Sequence, residues 1–216
     1  NLLYRRSVEG RAPAWVAAGL DQGKPEALIA LQRDPAFKNE VPRVIRPDIL
    51  LTDDGFAISE LDSVPGGIGL TQWLNETYSS VVQGPWSVVG GAHGMRDGFS
   101  SIFGTARRVH LVVSEESSSY RPEMAWIAGR MDGVDVAVRD ARFTDFADGD
   151  AVYRFFELFD LAQVPAASRI FDAAREGRLR VTPPPKPIFE EKLLFALLWN
   201  RNLHEFWRQE LGEGFF

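Results

Sequence analysis

Cysteine is absent from this 216-residue chain. Disulfides, thiolate nucleophiles and Cys-ligated zinc are therefore excluded. Histidine is scarce: the three residues at 93, 110 and 204 match no metal-site spacing. No apolar run approaches the roughly 18 residues that a membrane span needs. The N-terminal Asn1-Leu2-Leu3-Tyr4-Arg5-Arg6 lacks the apolar stretch of a signal peptide and an initiator Met. Positive charge is in deficit, with 24 Lys and Arg against 30 Asp and Glu, giving a net charge of −6. That balance argues against a nucleic-acid backbone binder, which needs a basic face. It argues equally against a polybasic membrane-surface protein. A nucleotide remains admissible, since one local site can be basic while the whole is acidic. The expectation is a cytoplasmic protein with neither nucleic-acid nor membrane partners. Oligomeric state is not legible.

What is present is ordinary globular material, 45% hydrophobic and 25% charged. No internal repeat or low-complexity tract occurs. Pro25 to Leu31 opens a short helix. Two apolar runs, Arg43 to Thr52 and Phe56 to Ser63, flank Asp53-Asp54-Gly55 and read as a hairpin. Leu70 to Ser79 reads as a helix. Val109 to Val113 is a buried-type strand, Tyr120 to Met131 a helix with Pro122 in its first turn, and Val134 to Val138 a second strand. Strand, helix and strand in this order predict a βαβ unit with parallel strands. Helical segments are expected at Tyr153 to Leu161 and Ala166 to Arg175, then a short strand at Leu179 to Val181. Pro183-Pro184-Pro185-Lys186-Pro187 is a stiff break and a candidate boundary. After it, Phe189, Leu193, Leu197 and Asn200 share one face of a predicted helix of about twenty residues.

The chemistry-bearing stretch is Arg46 to Gly67. A three-residue Asp53-Asp54-Gly55 loop sets Thr52 against Phe56. Asp48 then lies opposite Glu60, and Arg46 opposite Asp62. Side chains alternate along a strand, so all four project from one face, with opposed Cβ atoms roughly 5 Å apart. A two-residue turn would move Asp48 to the other face. Crowded carboxylates repel, and a hard divalent cation such as Mg²⁺ removes that repulsion. An adjacent arginine suits a transferring phosphoryl group. The spacing alone equally admits strand-end surface acids with Glu60 in a plain ion pair with Arg46. It also admits a carboxylate-pair hydrolase using Asp48 and Glu60 as acid and base.

Other features bear on a site. The backbone N–H groups around Gly66 and Gly67 are candidates for a phosphate or an acceptor substrate; the alternative is a tight turn before the next helix. Ser114 to Ser119 follows the carboxyl end of a strand, where α/β sheets bind ligands. Ser117 and Ser118 are therefore candidates for contacting an amino acid or peptide substrate, or else belong to a solvated loop and helix cap.

Arg46-Pro47-Asp48 followed by Glu60-Leu61-Asp62 resembles the metal-binding segment of the circularly permuted ATP-grasp enzymes, the family of glutathionylspermidine synthase. That family carries R-x-D, an acidic or Gly-containing turn and E-x-N, with the same gap of twelve between Asp and Glu. The resemblance implies that Asp48, Glu60 and Asp62 bind Mg²⁺ and that Arg46 contacts the transferred phosphate of ATP. Asp62 departs from the family's Asn, which keeps an oxygen ligand and makes the site more negative. A looser likeness covers Glu191 to Leu198, where Lys192 becomes a candidate ATP contact; a helix-surface lysine is the alternative. The implied fold is α/β. An ATP-grasp-type antiparallel hairpin occupies residues 1–84. A small parallel-sheet, Rossmann-like (pre-ATP-grasp) domain occupies 85–182. A Pro-rich linker and C-terminal helix at 183–216 lead into an ATP-clamping lid beyond Phe216. The implied function is an ATP-dependent carboxylate–amine ligase acting through an acyl phosphate, with small-molecule or peptide-like carboxylate and amine substrates. The rival expectation is a non-catalytic binding or assembly module.

Overall fold

The computed structural model describes residues 1–82 and 84–215, so Phe216, beyond which a lid was expected, lies outside the described residues. Two sheets organise the chain. The first is an antiparallel hairpin of β1 (Arg46–Thr52) and β2 (Gly55–Asp62). The second is parallel and contains β3 (Arg108–Val113), β4 (Asp135–Arg139), β5 (Ala151–Phe155) and β6 (Arg180–Thr182). Its spatial order is β4-β3-β5-β6. The expected α/β class is thus present, and β3, α6 (Arg121–Ala128) and β4 form the expected βαβ unit.

Neighbouring residues of the parallel strands point to opposite faces, and each face has its own core. On one side Val112 and Val152 pack with Leu28 and Leu31 of α3 (Glu26–Arg33) and Ile170 and Phe171 of α7 (Ala167–Arg175). On the other, Leu111 and Tyr153 pack with Ile68 of α4 (Ile68–Val81), Phe99 of α5 (Gly94–Ser101) and Met124 of α6. A third core joins the two ends of the chain. Leu3 of α1 (Leu2–Val8) and Leu20 of α2 (Ala14–Asp21) meet Ile188, Leu197 of α8 (Leu193–Leu198) and Leu203, with Phe206 of α9 (His204–Leu211) against them.

Three sequence expectations need correction. Tyr153 to Leu161 does not begin as a helix: Ala151–Phe155 is the inner strand β5, with all five residues buried. A strand covered on both faces has no alternation, and a short apolar run gives no period that separates it from a buried helix. The single C-terminal helix is instead α8 and α9, separated where the Asn200 carboxamide oxygen accepts the Asn202 N–H at 3.0 Å. This local bond offers the backbone an alternative to continuing the helix. The proline run, expected as a linker, lies within a stretch from 181 to 188 that is buried throughout. The Arg154 guanidinium donates to the carbonyls of Pro183 and Pro184 at 3.3 and 3.4 Å.

The hairpin register arises differently from the expectation. Thr52 pairs with Gly55, so only Asp53 and Asp54 link the strands. By itself that turn would turn Asp48 away from the acids of β2. A bulge at Ser59 inserts one extra residue and restores the pairs Asp48 with Glu60 and Arg46 with Asp62. The Ser59 hydroxyl donates to the Asp48 carbonyl at 3.2 Å across the bulge. The opposite face pairs Ile49 with Ile58 and Leu51 with Phe56, and it is open, with Leu51 90% and Phe56 67% exposed.

Candidate functional site

The acids and the arginine stand on one face, as their pairing requires. Arg46 donates through Nε to Asp48 at 3.1 Å, and its guanidinium lies 3.2 Å from Asp62 and 3.3 Å from the Gly66 carbonyl. Partial burial works against the Arg46 charge, but Asp48 and Asp62 outweigh it and hold the group more firmly protonated than usual. Asp62 also accepts the Val64 N–H at 2.8 Å, which fixes the exit from β2. Lys192, at the N-cap of α8, reaches back to Glu60 at 3.2 Å. The structure therefore brings Arg46, Asp48, Glu60, Asp62 and Lys192 together. The pairing differs from a plain Arg46–Glu60 bridge.

The donor set, three carboxylates, suits a hard cation such as Mg²⁺. In this arrangement the carboxylates face Arg46 and Lys192. Among the described residues no group of three or more His, Asp or Glu converges as a metal cage.

The strand order locates the cluster. From β3 the chain crosses to β4 on one side and then to β5 on the other, so the carboxyl ends of β3 and β5 flank a topological switch point. The loop leaving the hairpin lies against this edge. Gly66 sits on the Tyr120 ring, where an added Cβ would come within 2.5 Å of Cε1. Tyr120 in turn meets Phe155 edge-on at 5.3 Å. Ser117 and Ser118 are at the same edge; their N–H groups bond the Ser114 hydroxyl at 3.2 Å and the Glu115 carbonyl at 3.0 Å.

Gly67 is used in a way the sequence did not reveal. It adopts φ +81°, and its N–H donates to the Glu123 carboxylate at 2.7 Å. The Leu70 N–H donates to the other oxygen of the same carboxylate at 3.3 Å. The N-terminus of α4, a natural seat for negative charge, thus already holds an internal carboxylate from α6.

A second charged cluster also escaped the sequence reading. Arg154, in the middle of β5, is 0% exposed. It donates to the Phe156 carbonyl and to Glu190 at 2.7 Å. The second oxygen of Glu190 accepts the Leu158 N–H at 2.8 Å. Glu157 hydrogen-bonds Glu190; burial above all, then the Glu190 charge, pushes the Glu157 carboxyl up to about 8, with Asp62 adding to the effect and Arg154 opposing it. The pair thus holds a proton at neutral pH. Next to it, burial first and then Asp62 raise the Tyr153 phenol above its ordinary value. The available signal was Arg154 itself: an arginine inside Ala151 to Phe156 has to find a buried acid.

The histidines lie elsewhere. His110 is buried in β3, bonded through Nε2 to Asp150 at 3.0 Å and through Nδ1 to the Arg139 Nε–H at 3.3 Å. Burial pushes its pKa down. The arrangement fixes the neutral Nε2–H tautomer and reads as structural.

Comparison with protein-family models, with curated proteins and with solved structures returns no match.

Proposed function

We propose that the acidic hairpin is the metal and phosphate end of an ATP-dependent carboxylate–amine ligase of the ATP-grasp type. The observation that carries this reading is the meeting of Lys192 with Glu60 beside Arg46, Asp48 and Asp62. A lysine from far along the chain joins an arginine and three oxygen-donor acids of one hairpin, beside a sheet's switch point. In the proposed reaction a substrate carboxylate oxygen attacks the γ-phosphorus of ATP and ADP leaves, giving an acyl phosphate. The amine nitrogen then attacks the acyl carbon, phosphate leaves, and the amine releases a proton. Arg46 and Lys192 would offset charge on the phosphates, and Asp48, Glu60 and Asp62 would hold Mg²⁺. When bound, Mg²⁺ supplies charge neutralisation at the phosphates. The Ser117–Ser118 loop would contact the acceptor.

Mn²⁺ with ATP tests this directly, by paramagnetic broadening of backbone resonances. Broadening centred on residues 46–48 and 60–62, lost in Glu60→Lys with an unchanged circular dichroism spectrum, is expected. Broadening that survives Glu60→Lys, or that centres elsewhere, overturns the assignment. One observation favours a second reading. Asp48, Glu60 and Asp62 each already have a cationic partner, and the reverse face exposes Ile49, Leu51, Phe56 and Ile58. Those features suit a non-catalytic assembly module, for which no Mn²⁺ broadening is expected.

A further inference from the structure

The chain is acidic overall, yet one of its pockets is basic. The pocket holds about 280 Å³ between α1, the end of α3 and the turn that follows. Small-molecule sites begin at roughly 300 Å³, so an occupant has to be small. Tyr4, Arg5 and Val8 share one face of α1 and form one wall. Arg33, Pro35 and Lys38 form the other. Val8 and Pro35 are exposed, so apolar surface stands open beside the cations.

Arg5, Arg33, Lys38 and Lys186 stand in this lining against one acid, Glu9. Two of the four are compensated. Arg33 pairs with Asp21, and Lys38 lies 3.2 Å from Glu9, which Arg11 also holds. The other two, Arg5 and Lys186, make no ion pair with a carboxylate among the described residues; their partners are neutral. Arg5 donates to the Asn39 carboxamide at 2.9 Å. The buried Lys186 ammonium gives its three protons to the Asn1 carboxamide and to the carbonyls of Lys38 and Glu40, at 3.0, 3.1 and 3.0 Å. Burial pushes this ammonium down to about 8; the Glu40 charge opposes the shift and Arg5 adds to it. The Asn1 amine, also in the lining, is pushed down to about 6 by burial first and then by Lys186 and Arg5. The charge excess stands without that amine. Cations that depress one another in this way are short of an anion.

Lys186 cannot touch an occupant, because its protons are spent, but its charge favours an anion across the wall. The half-buried Arg5 offers a planar fork suited to a carboxylate. Lys38 keeps 51% of its side chain exposed and can turn to a ligand while Glu9 stays with Arg11.

We propose that this pocket binds a small monocarboxylate with a compact apolar body. Arg5 and Lys38 hold the carboxylate, and Val8 and Pro35 meet the apolar part. The site shares no residue with the hairpin cluster and does not depend on the ligase reading.

Benzoate is the probe, and benzamide is its uncharged counterpart. The backbone amide resonances of Val8 and Lys38 report from the two walls at constant ionic strength. Benzoate is expected to shift both saturably, and benzamide to bind at least tenfold more weakly. Arg5→Gln is expected to weaken benzoate about ten- to a hundredfold, the range of one hydrogen bond to a charged group. Arg142→Gln makes the same change in net charge at an exposed position outside the pocket, and it is expected to leave the affinity unchanged. Val8→Glu sets an acid on the exposed wall and is expected to abolish binding without disturbing the core. Absence of a saturable shift overturns the proposal. So does benzamide binding less than tenfold more weakly, an Arg5→Gln loss no larger than that of Arg142→Gln, or a native-like Val8→Glu protein that still binds. Displacement of benzoate by an equal concentration of inorganic phosphate overturns the carboxylate class.

Discussion

Replacing Glu157 with Gln isolates the proton shared with Glu190. In the folded chain the Glu157 carboxyl is pushed from the ordinary 4.5 up to about 8, first by burial and then by Glu190. At about 1.4 kcal/mol per pH unit this corresponds to about 5 kcal/mol for a fully enclosed group. Glu157 keeps part of its surface in water, and solvent screening reduces the figure to roughly 2 kcal/mol. The sign follows from proton linkage. Between pH 4.5 and 8 the folded state retains a proton that the unfolded state has released. Stability therefore declines as pH rises through that window and levels off above about pH 8. Gln is neutral at every pH, and its amide can donate to Glu190 in place of the acid proton.

Urea unfolding of the native and Glu157→Gln proteins, followed by tryptophan fluorescence from pH 4.5 to 9, measures the effect. Groups common to both proteins cancel in the difference. Near pH 4.5 the two should agree to about 0.5 kcal/mol, and near pH 8.5 the variant should be the more stable by roughly 2 kcal/mol. A difference that stays flat across this range, or that grows in the opposite sense, refutes a retained proton at Glu157.

Glu190→Ala removes the carboxylate paired with the fully buried Arg154. A loss of about 3 kcal/mol is expected in the unfolding free energy from urea titration, the low end for breaking a buried pair, because Glu157 can then ionise in its place; a loss below about 1 kcal/mol counts against that pair as a structural element. Deleting Ser59 removes the bulge but keeps Ile49 opposite Ile58 and Asp48 opposite Glu60. Cross-strand Hα–Hα contacts between Asp48 and Glu60 should therefore persist in NMR spectra, and their disappearance would mean that the bulge does not set the register.

Much of the fold was legible because its signals are local. The βαβ unit follows from a β-branched run, a proline in a first helical turn and a second apolar run, and the structure has all three. The pairs Asp48 with Glu60 and Arg46 with Asp62 were legible too, although a different turn produces them. The turn is one residue shorter than expected, and the Ser59 bulge compensates. Bulges leave little trace in an alternating pattern when the flanking residues are Ile58, Ser59 and Glu60. What remained illegible depends on distant partners. Glu123 reaching Gly67, Glu190 reaching Arg154 and the burial of the proline run are tertiary contacts. No period or turn preference encodes them. Lys192 was singled out by family resemblance, and its contact with Glu60 follows from the packing of the chain ends into one core.

The ion pairs at the hairpin do not by themselves decide against a ligand there. Arg46, Asp48, Glu60 and Lys192 all keep substantial exposure, and Asp62 keeps some. Pairs of this kind contribute roughly 0.2–1 kcal/mol each. Three of them together hold the cluster with no more than about 3 kcal/mol. A complex of even millimolar affinity supplies about 4 kcal/mol. On the proposed reading, a divalent cation carried by a nucleotide would take the carboxylates from Arg46 and Lys192, and both cations would then be released next to the phosphates arriving with it. The buried cluster behind them differs in kind. Arg154 and Glu190 are desolvated and anchored to backbone groups, so on that reading they would stay in place while the exposed acids exchanged partners. A rigid charged base beneath a loosely paired rim is what a site needs if it is to exchange cations without refolding.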